Sequence, residues 1–98
     1  MSDTDIFAEA GLRDALPSLL MAEADYMSLS MLEATSEVQG LLVVVYHNLG
    51  MNAEEESAFE RYAQSKKLAQ VFEENPTDPE ATRVWNTVTA VGKSLASR

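Results

Sequence analysis

Residues 40–50 read GLLVVVYHNLG, and this stretch decides between an all-helical fold and one that contains a sheet. The valines at positions 43–45 are typical of a buried strand, because β-branched side chains favour extended backbone. A buried strand needs a hydrogen-bonding partner, however, and no other window of the chain shows strand alternation or a hairpin turn. We therefore predict a helix that ends at Gly50, where glycine can take the left-handed conformation that closes helices.

The residues before and within this stretch also fit a helix. Ser36 followed by Gln39 matches a capping box, in which side chains satisfy the free N–H groups at a helix N-terminus. Apolar residues then recur at helical spacing, namely Val38, Leu41, Leu42, Val45 and Leu49. A helix is therefore predicted at 36–49, and its valines indicate burial.

Two further helices follow in the C-terminal half. The last is predicted at 79–96, with Asp78 as its N-cap and Pro79 at the first position, where no N–H group is needed. Another is predicted at 53–74, with Asn52 in the capping position. Both carry apolar residues at the spacing of one helix face.

The N-terminal half is harder to divide. Asp14 is the predicted cap of a helix at 14–34 that holds Pro17 in its first turn, where the missing hydrogen-bond donor costs little. Residues 1–13 are predicted as an arm or a short helix. The chain of 98 residues, 46% of them apolar, is then one all-α domain, a compact bundle of four main helices with short loops, with a homodimer as an alternative to the monomer.

Composition excludes several classes of function. The chain has no cysteine, so it can form neither a disulfide nor a thiolate zinc site. Sixteen acidic against seven basic side chains give a formal charge of −9, which disfavours direct nucleic-acid binding. The longest apolar run, at 41–46, is far shorter than the roughly 20 residues that span a bilayer, so no membrane association is expected. The acidic N-terminus does not resemble a secretory signal, and a cytoplasmic location is expected.

The candidates for catalytic chemistry are weak. His47 is the only histidine, and no motif supplies a nucleophile for it, so it is interpreted as a residue near a helix end. Glutamates four residues apart could hold a metal between two helices, and these are Glu33 with Glu37 and Glu56 with Glu60. They keep a Mg²⁺-dependent helical nucleotide hydrolase as an alternative. We expect no enzyme activity, no cofactor and no metal.

Apolar residues on more than one side of the N-terminal helices predict a partner or dimer interface, because such helices need more than one neighbour. The candidate interface residues are Met21, Tyr26, Met27, Leu29, Leu32, Val44 and Tyr46. A partner-facing acidic surface is predicted at Glu54, Glu55, Glu56, Glu60, Glu73 and Glu74. The sequence thus favours a non-catalytic protein-binding module that acts as a regulator, adaptor or inhibitor, with a partner that could carry a basic surface. The alternative is a nucleic-acid mimic of the phage-encoded type that inhibits a basic nucleic-acid-binding protein.

Overall fold

The computed structural model describes the backbone of residues 3–98 and the side chains from residue 9 onward. The described chain forms four helices, which are α1 (Asp3–Ser28), α2 (Leu32–Asn48), α3 (Asn52–Glu74) and α4 (Pro79–Ala96). No strand occurs among the described residues. The predicted all-α bundle of four main helices is therefore confirmed, and residues 40–50 lie in α2 and the turn that follows it.

Short turns make each helix antiparallel to the one before it. α2 packs against both α1 and α3, and α4 packs along α1, whereas α3 and α4 approach each other only sparsely. The bundle measures 52 × 28 × 19 Å. Its thinnest dimension corresponds to about two helix diameters, so the helices lie in two layers. One of the four edges of the bundle, between α3 and α4, is open.

The turns that follow α1 and α2 are built alike. Each has the pattern Tyr-x-x-Leu-(Ser/Gly)-Met, beginning at Tyr26 and again at Tyr46. In each turn the methionine N–H donates to the tyrosine carbonyl over 2.9 Å. The residue before the methionine has a positive φ, 56° at Ser30 and 69° at Gly50. Both turns thus have the hydrogen bonding of a Schellman motif, and the predicted role of Gly50 is confirmed.

The interior consists of two clusters along the long axis. The first joins α2 to α3, and its buried members are Val38, Leu42, Tyr46 and Ala58. The second lies where α4 begins, against the end of α3, and its buried members are Leu68, Ala81 and Trp85. The three valines that favour a strand in the sequence lie on different sides of α2. Val45 is buried, Val43 is partly buried and Val44 is exposed.

The N-terminal boundaries differ from the prediction. α1 begins at Asp3 and ends at Ser28, so the predicted range 14–34 is wrong, and residues 3–13 continue the same helix. Residues 1–2 of the predicted arm lie outside the described part. Pro17 lies inside α1 with its ring exposed. A proline in this position removes one helical hydrogen bond, and packing of Leu16 and Leu19 against the first cluster holds the helix together across it.

Three of the four predicted caps are also wrong, and one of them, Asp14, lies inside α1. Ser36 lies within α2, buried, and its hydroxyl donates to the Glu33 carbonyl over 2.9 Å. Asn52 is the first residue of α3, whose start has no side-chain cap. Asp78 caps α4 as predicted, because its Oδ1 accepts a hydrogen bond of 2.8 Å from the Ala81 N–H. A serine or asparagine near the start of a helix in the sequence therefore does not by itself identify an N-cap.

Candidate protein-binding surface

Three of the predicted interface residues are well exposed, but they lie apart. Met21 on α1 and Leu29 in the first turn are each 67% exposed, and Val44 on α2 is 55% exposed. Val44 has an exposed apolar neighbour, Leu41, on the same face of α2. The surface of interest is therefore centred on α2.

The other predicted interface residues lie inside the folded chain or at its edge. Met27 and Tyr46 are buried, at 5% and 7% exposure, and pack the interior of the chain itself. Tyr26 packs against the first cluster and Leu32 against the second, both partly buried. The surplus apolar character of α1 and α2 is thus largely covered by α3 and α4, which sequence periodicity could not show.

An apolar patch crosses the seam between α2 and α3. Its members, which we call the α2–α3 patch, are Leu41, Val44, Phe59 and Tyr62. Leu41 and Val44 are 53% and 55% exposed and share one face of α2, and Phe59 on α3 is 56% exposed. Of these four residues, only Val44 is predicted from the sequence to lie at an interface. Phe59 has the spacing of an inward helix face, so its sequence position gives no sign of its exposure.

The two helices that carry this patch meet closely at Gly40. The Tyr62 ring lies against it so closely that a β-carbon at position 40 would come within 3.2 Å of the Tyr62 Cε2. Tyr62 in turn contacts Phe59, with ring centroids 6.5 Å apart and the rings tilted by 47°. Gly40 is one helical turn before Val44, so the aromatic pair of α3 continues the apolar face of α2.

Charged side chains surround the α2–α3 patch. Glu37 is one turn before Leu41 on α2, and Glu56 and Glu60 flank Phe59 on α3; all three glutamates are exposed. Lys66 Nζ lies 6.0 Å from the centroid of the Tyr62 ring. The patch therefore has an apolar centre and a mostly acidic border.

The predicted acidic surface is not a single face. Four of the six glutamates lie in the first half of α3 and two in its last turn, and Lys66 and Lys67 lie between the two groups. Glu55 is partly buried because its carboxylate faces His47, whose Nδ1 lies 3.2 Å from both carboxylate oxygens. The other five glutamates are exposed, and they are Glu54, Glu56, Glu60, Glu73 and Glu74.

His47 lies in the last turn of α2, as predicted. Its side chain is 72% exposed, and its partner is Glu55 near the start of α3 rather than a terminal carbonyl. An exposed pair of this kind contributes at most about 1 kcal/mol. In this geometry His47 links the end of one helix to the start of the next.

The glutamate pairs considered as metal ligands do not converge. Gln39 on α2 lies opposite Ser65 on α3, since the Ser65 hydroxyl donates to the Gln39 Oε1 over 2.6 Å. In antiparallel helices this register places Glu37 and Glu60 about 10 Å apart along the axis. Among the residues that the structure describes, no group of three or more acidic or histidine side chains is arranged to hold a metal ion.

The open edge of the bundle forms a groove between α3 and α4. We call it the α3–α4 groove, and it contains a depression of about 430 Å³. The lining residues of this depression are Arg83, Val84, Thr87, Val88 and Val91 from α4, Arg61 and Gln64 from α3, and Met27 and Gln39 from the other two helices. Toward the loop before α4 it continues into a space of about 360 Å³ beside Leu68 and Val71. The groove is thus mostly apolar, with polar and basic side chains at its border.

An ion pair stands at one side of this groove. Arg61 Nε donates to the Glu23 carboxylate over 2.9 Å, and the two side chains are 34% and 8% exposed. The Tyr46 hydroxyl lies in the same part of the bundle. Burial raises the pKa of Tyr46, while the charge of Arg61 acts in the opposite direction. The pair connects α1 to α3, whose backbones do not approach each other closely in the described part of the chain.

Comparison with known proteins gives no relative from which a function could be transferred: no family model, curated protein or solved structure matches this chain. Within residues 3–98, no helix combines the length and the apolar character that crossing a membrane requires.

Proposed function

We propose that this chain is a small acidic protein-binding module of the cytoplasm, which regulates, links or inhibits a partner by covering part of its surface. The observation that carries the proposal is the α2–α3 patch. Leu41, Val44 and Phe59 are each more than half exposed. Clustered apolar side chains with a polar border are typical of protein interfaces.

The border indicates the chemistry of the partner. Glu37, Glu56 and Glu60 surround the apolar centre, and the whole chain carries a formal charge of −9. A partner with an apolar centre and basic side chains around it would complement both features. Attraction between the net charges would accelerate association at low salt, because exposed charges are screened within about 10 Å at 0.1 M salt.

The test compares two matched variants, Val44→Lys and Val91→Lys. Both valines are on helices and about half exposed, at 55% and 47%, but Val44 is in the α2–α3 patch and Val91 is in the α3–α4 groove. The tagged chain and each variant are used to capture proteins from the lysate of cells that naturally produce it. We expect a partner that the unchanged chain and Val91→Lys retain and that Val44→Lys loses. Equal retention by both variants would contradict the proposed surface.

Salt dependence separates this function from nucleic-acid mimicry. An apolar centre keeps much of its affinity when salt is raised, whereas a mimic that relies on charge loses affinity steeply and competes with DNA or RNA for the partner. The net charge of −9 favours mimicry, but Lys66 and Lys67 interrupt the acidic residues of α3. Displacement of the captured partner by nucleic acid, with no effect of Val44→Lys, would favour the mimic.

A further inference from the structure

We propose that the α3–α4 groove binds a small amphiphilic carboxylate, that is, a molecule with an apolar body and a carboxylate group at one end. The site is the depression of about 430 Å³ in this groove. This inference goes beyond the proposed function and does not depend on it, because it uses a different surface from the α2–α3 patch. The occupant is a free small molecule rather than a protein.

The size and the apolar wall of the depression suit a small molecule. Its volume is within the range of about 300–1,000 Å³ that is usual for ligand pockets. Val84, Val88 and Val91 line it at a helical spacing of four and three residues. Met27 of α1 adds a further apolar side chain. These four residues would contact the apolar body of the ligand.

The charge at the depression is opposite to that of the whole chain. The protein has 16 acidic against seven basic side chains. Two of the seven basic residues, Arg61 and Arg83, line the depression, whereas none of the described residues that line it is acidic. A local positive charge of this kind attracts an anion.

The net charge of the protein restricts which anion fits. A formal charge of −9 disfavours a ligand with several negative charges, such as a phosphate ester. A carboxylate carries a single charge, and its two oxygens match the planar guanidinium group of arginine. An apolar body supplies part of the affinity without any charge. An amphiphilic carboxylate therefore satisfies both the arginines and the apolar wall.

The two arginines differ in how far they are already occupied. Arg61 Nε and Nη2 donate to the Glu23 carboxylate, and Nη1 donates to the Ser57 hydroxyl. Arg83 forms no ion pair with any described residue, and Glu80, one turn before it on α4, is not paired with it. The exposed Arg83 guanidinium can therefore donate two parallel hydrogen bonds to a ligand carboxylate.

Gln39 adds a buried hydrogen-bond donor. It is 2% exposed and lines the depression. Its Oε1 accepts a hydrogen bond from the Ser65 hydroxyl over 2.6 Å, while its Nε2 has no acceptor among the described residues. Every fully enclosed side-chain nitrogen or oxygen in the described part of the chain has a hydrogen-bond partner, so Nε2 retains contact with open space. That space is the depression, where a polar atom of the ligand would accept the open N–H group.

The test is a titration of the full chain with octanoate, followed by two-dimensional NMR of the backbone amides. We expect saturable binding with a dissociation constant on the order of 0.1–1 mM, and the largest shifts at the residues that line the depression. 1-Octanol has the same chain without the charge and should bind about tenfold more weakly. Octylammonium, with the opposite charge, should leave the amides of the depression unchanged.

Two matched pairs of variants locate the site. Arg83→Met should weaken octanoate binding about tenfold, whereas Arg98→Met, which makes the same change of charge outside the depression, should change the affinity less than about twofold. Thr87→Glu places a carboxylate in the depression and should abolish saturable binding. Thr82→Glu is its control, because both threonines are exposed on α4 and donate to the carbonyl four residues earlier. Circular dichroism checks that each variant is folded.

Three results would overturn the inference. One is the absence of saturable shifts at the depression when octanoate reaches about tenfold above the expected dissociation constant. Another is binding of 1-octanol or octylammonium in the depression as tightly as octanoate. The third is an equal effect of each variant and its control, which would mean that net charge and not this site determines binding. None of these results concerns the α2–α3 patch, so failure of this inference can be told from failure of the proposed function.

Discussion

Gly92 of α4 lies directly against the backbone of Ser28 at the end of α1. A β-carbon at position 92 would come within 2.6 Å of the Ser28 nitrogen, and it would also collide with Met27. Backbone atoms cannot move aside as the end of a flexible side chain can. The close approach of α4 to α1 therefore depends on the absence of a side chain at this position.

Gly92→Ala should destabilise the fold. Alanine raises helix propensity by about 1 kcal/mol, but the collision with α1 must be relieved by moving α4, and overpacking of this kind typically costs about 1–3 kcal/mol. We expect a net loss in the free energy of unfolding, measured by urea titration with circular dichroism. The matched control is Gly11→Ala in α1, where a β-carbon would meet nothing within 4 Å. That variant should be stabilised by about 0.5–1 kcal/mol, and opposite signs for the two variants are the expected result.

Asp78→Ala should lower the stability of the protein by about 1 kcal/mol, because the hydrogen bond from the Ala81 N–H to the Asp78 carboxylate is lost. Asn52→Ala is the control, since Asn52 looks like a cap in the sequence but makes no capping hydrogen bond at the start of α3. Thermal unfolding of both variants checks this. Equal losses in the two would mean that the Asp78 contact does not stabilise α4.

Arg61→Met should destabilise the protein by about 1–3 kcal/mol, because it leaves the Glu23 carboxylate, 8% exposed, without its cation. The effect should be smaller than for a fully buried pair, since Arg61 itself is one-third exposed. Arg83→Met, at an exposed position with no ion pair to the described residues, should change stability by less than about 0.5 kcal/mol. If adding Glu23→Gln to Arg61→Met restores part of the loss in urea titration, the unpaired carboxylate is its cause.

Stability at alkaline pH should depend on Tyr46. Burial raises the pKa of its phenol above the ordinary value, so the folded state holds this proton more tightly than the unfolded chain does. The resulting stabilisation is complete below the unfolded pKa of about 10 and is lost as pH rises through the folded pKa. The free energy of unfolding of the wild type should therefore fall relative to that of Tyr46→Phe above about pH 10. A difference between them that stays constant with pH would exclude this contribution.

The sequence predicts those helix boundaries that carry a local chemical signal. Asp78 and Pro79 fix the start of α4, and Gly50 marks the turn after α2. The predicted end of the first helix, at residue 34, is wrong because Ser30 closes α1 with a positive φ like that of Gly50, although it is not a glycine. Its hydroxyl lies 2.9 Å from that of Thr89 on α4, a distant contact that no local pattern encodes.

The candidate surface is less predictable than the fold, because exposure depends on which helix covers which residue. Met21 and Met27 occupy the same helix and look alike in sequence. Met27 is buried where α4 approaches at Gly92, whereas Met21 is 67% exposed. Phe59 differs from its prediction in the opposite way. Its spacing in the sequence predicts a buried side chain, but in the structure it is exposed beside the seam between α2 and α3. Only the packing of the helices separates these cases.

The connection of α4 to the rest of the bundle has a consequence for the order of folding. α1, α2 and α3 are joined by short, similar turns, so their contacts form between neighbours in sequence and involve little loss of chain entropy. α4 instead rests largely on α1, the helix farthest from it along the chain, and only sparsely on α3. The first three helices can therefore assemble before the last one docks. In the native protein the same connection lets α4 open while the other helices stay packed, and its amide hydrogens should exchange with solvent ahead of those in α2.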